Sequence, residues 1–310
     1  MMDAIKMHEV TQKFGAVTAV EQLTLAVQEG EIFGLLGPDG AGKTTIMRLL
    51  AGLLTPSAGE AWVCGFHTLS DVEALRNHIS YMPQRFGLYL DLTVQENIDF
   101  YADLYNVPQT IRKEKIPELL AFSNMTAFRD RQARNLSGGM KQKLALACAL
   151  VHTPKVLFLD EPTNGVDPMS RRDFWRILGK LLEEKVTIFV STSYLDEAER
   201  CDRVGLLYKG RLILAGRPAE IKAKMNGVLL EIRCSAPRTV LPLLKAVMQP
   251  RSAGLFGNKI HLVAMGEAAQ VEADLKEKLR ELDIQGEVAV ITPSLEDVFI
   301  SMLTTGESGD

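Results

Sequence analysis

The sequence predicts an α/β protein with a large first domain, residues 1–225, and a small α+β domain in residues 226–310. Two short runs, Ile32–Leu36 and 156–159, are wholly apolar, which is typical of strands buried on both faces of a parallel sheet. Apolar residues at helical spacing follow each run, and this alternation indicates a parallel sheet covered by helices. A second alternation begins beyond residue 225, so the chain has the length and the pattern of two domains.

The other elements of the first domain follow from periodicity. Strands are predicted at 4–10 and 23–27, and an inserted helical subdomain at about 92–152, in which Pro108 and Pro117 interrupt the helical pattern. Beyond it the sequence predicts a helix at 169–184, a strand at 186–190, a short helix at 195–200 and strands at 204–208 and 211–215.

The second domain has its own periodic segments. Its predicted elements are strands at 228–233, 259–263 and 287–291 and helices at 240–248 and 268–282. In the second helix Val271, Leu275, Leu279 and Leu282 form one stripe, which favours a core face over a groove for a partner.

Composition excludes several classes of function. Acidic residues outnumber basic ones, 39 to 35, and the pI is about 5.8, so we expect no general attraction to nucleic acid. The longest apolar runs fall far short of the roughly 20 residues of a membrane span. The first ten residues lack the apolar core of a secretion signal, which predicts a mature chain that begins near Met1 in the cytoplasm. The four widely spaced cysteines are expected to be buried reduced thiols.

A glycine-rich loop follows the strand Ile32–Leu36 and precedes a helical pattern. It fits G-x-x-x-x-G-K-S/T, in which backbone amides and a helix start surround phosphate oxygens. Lys43 supplies an ammonium group for the outer phosphates, and Thr44 is a predicted Mg²⁺ ligand. An ordinary structural turn would leave Lys43 opposing the helix dipole. The predicted nucleotide-binding residues here are Gly37, Pro38, Asp39, Gly40, Ala41, Gly42, Lys43, Thr44 and Thr45.

Two carboxylates end the apolar run 156–159, at the edge of a parallel sheet where ligands usually bind. Asp160 is predicted to hold Mg²⁺ through water, and Glu161 to polarise an attacking water. Two acidic residues after a strand also occur at the start of an ordinary helix. The catalytic interpretation is therefore favoured only because the phosphate loop is present as well.

The segment Leu136-Ser137-Gly138-Gly139-Met140-Lys141-Gln142 resembles the signature motif of ABC ATPases. The resemblance covers about residues 3–220 and implies a parallel sheet with an antiparallel β part and an inserted helical subdomain. It further implies that Phe14 stacks on adenine, that Gln84 joins Mg²⁺ to the transporter interface, and that 165–167 contacts a second domain. Alone, Phe14 would be read as a core aromatic and Gln84 as a solvated side chain.

In this family two such domains hold two ATP molecules between them, with Ser137, Gly138 and Gly139 of one domain facing the phosphate loop of the other. The tail 292–300 is similar to ATP-binding subunits of ABC-2-type exporters, and 81–84, 86–89 and 191–199 are similar to the multidrug YbhF type, which carries two such domains in tandem. The resemblance implies integral membrane permease subunits as partners, a second ATPase domain, and a location on the inner face of the cell membrane.

One position departs from the family pattern. After the strand 186–190 the family places a histidine that contacts the γ-phosphate, and this chain has Ser193. The expected catalytic set is therefore Lys43, Glu161 and Ser193. A short neutral hydroxyl stabilises transition-state charge less well than imidazole. Two alternatives stay open. In a heterodimer, this chain's own site would turn over ATP slowly; in a homodimer, Ser193 would suffice for hydrolysis.

Two rival functions share the nucleotide motifs. A soluble ABC ATPase acting on a nucleic-acid or protein complex is disfavoured by the acidic balance, despite the small cluster of Arg129, Arg131 and Arg134. The second rival, a nucleotide sensor that does not hydrolyse ATP, is supported only by Ser193. The intact Lys43, Asp160 and Glu161 argue against it.

Overall fold

The computed structural model describes residues 3–306. Met1, Met2 and residues 307–310 lie outside the described part, and so does the predicted chain start near Met1. The chain divides into two compact units between Ala215 and Gly216. The division falls before the short helix Pro218–Ala223, whereas the sequence places the boundary after it, at residue 225.

The first unit contains two sheets and a helical segment. Its strands are β1 (Asp3–Phe14), β2 (Val17–Gln28), β3 (Ile32–Leu36), β4 (Ala58–Val63), β5 (Phe66–His67), β6 (Ile79–Met82), β7 (Val156–Asp160), β8 (Thr187–Thr192), β9 (Arg203–Tyr208) and β10 (Arg211–Gly216). Its helices are α1 (Lys43–Leu50), α2 (Val72–Arg76), α3 (Val94–Leu104), α4 (Gln109–Phe122), α5 (Gly138–Leu150), α6 (Pro168–Glu183) and α7 (Leu195–Ala198).

The central sheet has the order β10-β9-β3-β8-β7-β6. The pairs β3–β8, β3–β9, β7–β8 and β6–β7 are parallel. Every residue of β3, β7 and β8 is buried, which explains the apolar runs of β3 and β7 and the apolar centre of β8. Because β8 lies between β3 and β7, the loop that contains Ser193 emerges between the phosphate loop and Glu161.

An antiparallel sheet, β2-β1-β4-β5, packs against the same core. One cluster of buried side chains includes Ile5 of β1, Leu35 of β3, Ile46 of α1 and Phe158 of β7. The two sheets therefore share one core around α1, which anchors the helix that follows the phosphate loop. The α/β fold predicted from sequence is confirmed, although β4 and β5 were not foreseen.

The helical segment comprises α3, α4 and α5. A capping box of Thr93 and Glu96 begins α3. Pro117 lies inside α4 and does not interrupt it, so that expectation was wrong. The helix tolerates proline here by giving up one backbone hydrogen bond. Pro108 does precede the first residue of α4, as predicted.

The second unit contains α8 (Pro218–Ala223), β11 (Val228–Cys234), α9 (Pro237–Met248), β12 (Ser252–Phe256), β13 (Lys259–Ala264), α10 (Ala268–Glu281), β14 (Gly286–Val290) and α11 (Leu295–Gly306). Its antiparallel sheet has the order β12-β13-β11-β14, the ferredoxin-like βαββαβ arrangement, with α11 added at the end. Val271, Leu275 and Leu279 of α10 are buried in its core, and Leu282 is partly buried beside them.

The four cysteines are free thiols: Cys148 and Cys201 are buried, whereas Cys64 and Cys234 are only half-buried. Burial raises the pKa of Cys64 to about 11, and it raises the pKa values of Cys148 and Cys201 as well. Within residues 3–306, no helix is both long and apolar enough to cross a bilayer.

Candidate functional site

The phosphate loop connects the end of β3 to the start of α1. Gly40 and Gly42 have φ values of 79° and 108°, in the left-handed region that favours glycine. A Cβ atom on Gly42 would lie 2.4 Å from the Ala19 carbonyl oxygen, and one on Gly37 would lie 2.4 Å from the Leu207 carbonyl oxygen. The loop is therefore held closely between neighbouring strands, with α1 beginning at Lys43.

A cavity of about 420 Å³ opens above this loop. The predicted residues Asp39, Gly40, Ala41, Gly42, Lys43, Thr44, Thr45, Gln84 and Glu161 line it, together with Ala19 and Asn164. A helix start, loop amides and a lysine in one concave site form an arrangement that suits a multiply charged phosphate.

Lys43 is largely buried at the centre of the site. Its Nζ donates to the carbonyl oxygens of Gly37 at 2.7 Å and Pro38 at 3.1 Å. It also lies 3.0 Å from Oε1 of Glu161. The ammonium group thus has three acceptors from the protein itself.

Glu161 accepts hydrogen bonds from three further side chains. Ser193 Oγ donates to Oε1 at 3.1 Å, and Gln84 Nε2 and Asn164 Nδ2 each donate to Oε2 at 3.1 Å. The backbone of Glu161 has φ 47°, a left-handed value that is unusual for a residue other than glycine and recurs at functional sites. The loop after β7 therefore directs this carboxylate towards Lys43.

Asp160, at the end of β7, is buried beneath the site. Ser191 Oγ donates to its Oδ1 at 2.7 Å, and the Tyr81 hydroxyl donates to its Oδ2 at 3.3 Å. Burial, together with the Asp160 charge, raises the pKa of Tyr81 to about 12, so the phenol stays protonated and donates. Ser191 Oγ also accepts from the Glu161 backbone amide at 3.0 Å, so one hydroxyl joins the Asp160 carboxylate to the backbone of Glu161.

The three predicted Mg²⁺ ligands offer oxygen donors of the kind that Mg²⁺ prefers: the Thr44 hydroxyl, the Gln84 amide oxygen and the Asp160 carboxylate. Thr44 and Gln84 line the cavity, but Asp160 does not. Because both Asp160 oxygens already accept hydrogen bonds, contact through water fits its position better than direct ligation. The donor set as a whole is compatible with Mg²⁺.

Other predicted residues lie outside the cavity lining. Phe14, at the end of β1, is 49% exposed. Ser137 caps α5 by accepting from the Met140 amide at 3.3 Å. A Cβ on Gly138 would meet no atom within 4 Å, whereas one on Gly139 would lie 2.4 Å from Ser170 Cβ. The start of α5 is therefore open at Gly138 and packed against α6 at Gly139.

Sequence reasoning missed several residues that the structure places at the site. Asn164 contacts the Glu161 carboxylate and Tyr81 contacts the Asp160 carboxylate. Ser191 links the Asp160 carboxylate to the backbone amide of Glu161. Asn164 could have been suspected because it follows Glu161 by three residues in a turn. No sequence signal marks Ser191, since its role depends on β8 lying beside β7.

Comparison with known proteins places this site in a family. The ABC transporter family profile matches residues 20–164. The multidrug ABC transporter ATP-binding protein YbhF of Escherichia coli K12, described as probable, is 44% identical over 287 residues, 92% of this chain and 49% of that protein. The chain thus spans about half the length of that relative. Nod factor export ATP-binding protein I of Rhizobium meliloti is 36% identical over 304 residues, 96% of this chain and 88% of its own length.

Solved structures show the same architecture. The cbiO1 protein of Clostridium perfringens, part of the ABC transporter complex cbiONQ, aligns with a TM-score of 0.67 and 26% identity over 80% of this chain and 97% of its own. The ATP-binding cassette MJ0796, a dimer in a post-hydrolysis state with ADP and phosphate, aligns with a TM-score of 0.63 and 26% identity over 69% of this chain and 98% of its own.

Proposed function

The chain belongs to the ABC transporter ATP-binding family, and from that premise we propose that it is the ATP-hydrolysing subunit of an ABC-2-type exporter. In this proposal, closure of a dimer of ATPase domains around ATP drives transport by separate permease subunits. The observation that carries it is the convergence of Lys43, Gln84 and Glu161 on one cavity above a phosphate loop, with Ser193 bonded to Glu161.

The geometry suggests a role for each side chain. Loop amides and Lys43 hold the phosphates of ATP, and Phe14 offers an exposed ring for adenine. Glu161 orients and deprotonates the attacking water once Lys43 has turned to the phosphates. Thr44 and Gln84, with Asp160 through water, would hold Mg²⁺, which would supply positive charge to neutralise the phosphates.

The signature residues act on a second domain. The open start of α5, with Ser137, Gly138 and Gly139, supplies amides and a hydroxyl for ATP bound to a partner's phosphate loop. This arrangement explains why these residues lie outside the cavity of their own chain. The cassette MJ0796 is a dimer, which supports the pairing, and whether the partner is a copy of this chain or a related chain depends on Ser193.

A surface for the permease follows Gln84 along the chain. It comprises Phe86, Tyr89, Leu90, Phe100, Tyr101 and Leu104, which we call the aromatic surface. The rings of Tyr89 and Phe100 lie 4.4 Å apart, and those of Phe86 and Tyr101 lie 5.0 Å apart. Leu90 and Leu104 are more than half exposed. Exposed apolar patches of this kind mark interaction sites, and contact here would reach Glu161 through Gln84.

Attachment to permease subunits would hold the chain at the inner face of the membrane. The test is recovery of tagged chain from membranes together with ATP hydrolysis by the recovered complex. Recovery of a protein with several membrane spans, identified by mass spectrometry, supports transport. Recovery of ribosomes or DNA in its place supports the soluble ABC ATPase and contradicts this proposal.

A matched pair of variants sharpens this experiment. Leu104→Glu places a charge on the aromatic surface, and Leu243→Glu places one at an exposed leucine of α9 in the second unit. We expect Leu104→Glu alone to lose the membrane protein while both variants keep the ATP hydrolysis of the isolated chain.

A further inference from the structure

A fully buried carboxylate lies behind the candidate site, and no role described so far uses it. Glu197 in α7 is 1% exposed. Thr192 Oγ1 donates to its Oε2 at 2.7 Å, and Thr163 Oγ1 donates to its Oε1. A buried carboxylate is unfavourable unless it is paired or hydrogen-bonded, so these contacts hold both hydroxyls firmly.

The two hydroxyls lie next to the two reacting side chains, Thr163 in the loop after β7 and Thr192 at the end of β8. Thr163 follows Glu161 by two residues, and Thr192 immediately precedes Ser193. Glu161 and Ser193 in turn meet at 3.1 Å. Glu197 therefore closes a ring of contacts in which its two oxygens determine how far apart the loop after β7 and the end of β8 lie.

Two further contacts extend the ring. The Thr192 carbonyl oxygen accepts from the amide of Gly37 in the phosphate loop at 3.4 Å. On the other side, Arg171 Nε of α6 lies 3.5 Å from Glu197 Oε1. Helix α6 begins directly after Asp167, whose side chain caps it at the Ser170 amide.

We propose that Glu197 is a positioning residue for ATP hydrolysis, which holds Glu161 and loop 163–167, both after β7, in register with Ser193 after β8. The proposal rests on the ATPase function proposed above. Residues 165–167, which the family resemblance places against a second ATPase domain, follow Thr163 in the same loop. Contact with that domain would thereby be tied to the position of Glu161.

Each hydroxyl donates to a different oxygen of the Glu197 carboxylate. Glutamine at position 197 would keep one acceptor, make the other hydroxyl reverse from donor to acceptor, and carry no charge opposite Arg171. Arg171 would keep its stacking on the Tyr194 ring, 3.9 Å from the centroid, and its contact with Asp196 at 3.8 Å. Glu197→Gln therefore disturbs the register of the loops while retaining the shape of the side chain.

The test compares variants of the full-length chain. Glu197→Gln and Thr163→Val remove one interaction each, Thr163→Ser keeps the hydroxyl, and Glu183→Gln removes an exposed carboxylate of α6 as a control. The measurements are kcat, KM for ATP, equilibrium affinity for a fluorescent ATP analogue, and the melting temperature. We expect kcat to fall about tenfold to a hundredfold in Glu197→Gln and Thr163→Val, with affinity nearly unchanged. Thr163→Ser and Glu183→Gln should match the original chain.

Three outcomes would overturn the proposal: unchanged kcat in folded Glu197→Gln, a parallel loss of nucleotide affinity and kcat, or failure of Thr163→Ser to keep the activity that Thr163→Val loses. If Glu197→Gln does not fold, the valine and serine variants of Thr163 decide alone. Absence of ATP hydrolysis in the original chain and in its recovered complex would count against the proposed function instead.

Discussion

The ammonium group of Lys43 lies 3.0 Å from Oε1 of Glu161, and both side chains are largely buried. The cation expected to hold phosphate oxygens is thus neutralised by the carboxylate expected to activate water. We expect the phosphates of ATP to compete with Glu161 for Lys43, which would release the carboxylate to a water molecule. Phosphate binding and activation of the base would therefore be linked at one ion pair.

Replacement of Glu161 by glutamine should separate binding from hydrolysis. Without the competing carboxylate, Lys43 is free for the phosphates, so we expect ATP affinity to be maintained or to increase. Loss of the base should lower kcat by about 10²–10⁴-fold. Equilibrium nucleotide titration and single-turnover hydrolysis measure the two effects, and Lys43→Met should show the opposite pattern of lost affinity. Retained hydrolysis in Glu161→Gln would remove Glu161 from the catalytic set.

Ser193 is the residue at which we expect the rate of this chain's own site to be set. Its hydroxyl reaches Glu161, but it is shorter than imidazole and carries no charge. We expect Ser193→His to raise kcat of the purified chain about tenfold, because an imidazole can donate to the γ-phosphate. Ser193→Ala serves as the control for loss of the hydroxyl alone. Ordinary turnover by the original chain, with no gain from histidine, would favour the homodimer over the heterodimer with a slow site.

The two glycines of the signature motif should respond differently to alanine. In Gly139→Ala the new Cβ would lie 2.4 Å from Ser170 Cβ, so α5 and α6 must move apart. Overpacking of this kind costs about 1–3 kcal/mol. Gly138→Ala meets no neighbour within 4 Å and should leave the melting temperature unchanged. Thermal unfolding of both variants tests this, and equal melting temperatures would contradict the described packing.

His261 should make the stability of the second unit depend on pH. Burial by itself lowers the pKa of His261, but Asp297 at 2.6 Å and Glu231 at 3.5 Å raise it above its ordinary value. Lys259 also bonds to Glu231, and the Phe256 ring stacks on the imidazole at 4.0 Å. Since the folded-state pKa is raised, this stabilisation is complete below about pH 6.5 and is lost as pH rises through the folded-state pKa.

The measurement is hydrogen exchange of peptides from β13 and α11, corrected for intrinsic rates, between pH 6 and 9. We expect opening to increase with pH in the original chain and to depend little on pH in His261→Gln. The same slope in both proteins would exclude His261 as the titrating group.

Sequence predicted the features that depend on local pattern. Apolar runs located β3 and β7, and the glycine spacing located the loop before α1. By contrast, β4 begins with exposed residues, Ala58, Gly59 and Glu60, and lacks the apolar run that marked the central strands. Pro117 was read as an interruption because local propensity omits the packing that supports α4.

The contacts of the site depend on strand order, which sequence order does not reveal. Ser193 reaches Glu161 because β8 lies between β3 and β7. Glu197 reads as one more charge in the acidic segment 196–199, yet it is buried and bonded to Thr163, a residue far away in the chain. Only the tertiary arrangement distinguishes it from its solvated neighbours.

The cysteines make the chain convenient for spectroscopy. Only a thiolate reacts readily with maleimide reagents, and raised pKa values keep Cys64, Cys148 and Cys201 protonated at neutral pH. If half-buried Cys234 were replaced by serine, the three remaining cysteines would react only slowly with maleimide. A single cysteine introduced at exposed Met169 could then carry a spin label beside loop 163–167, so that distances between two labelled chains would report nucleotide-driven closure.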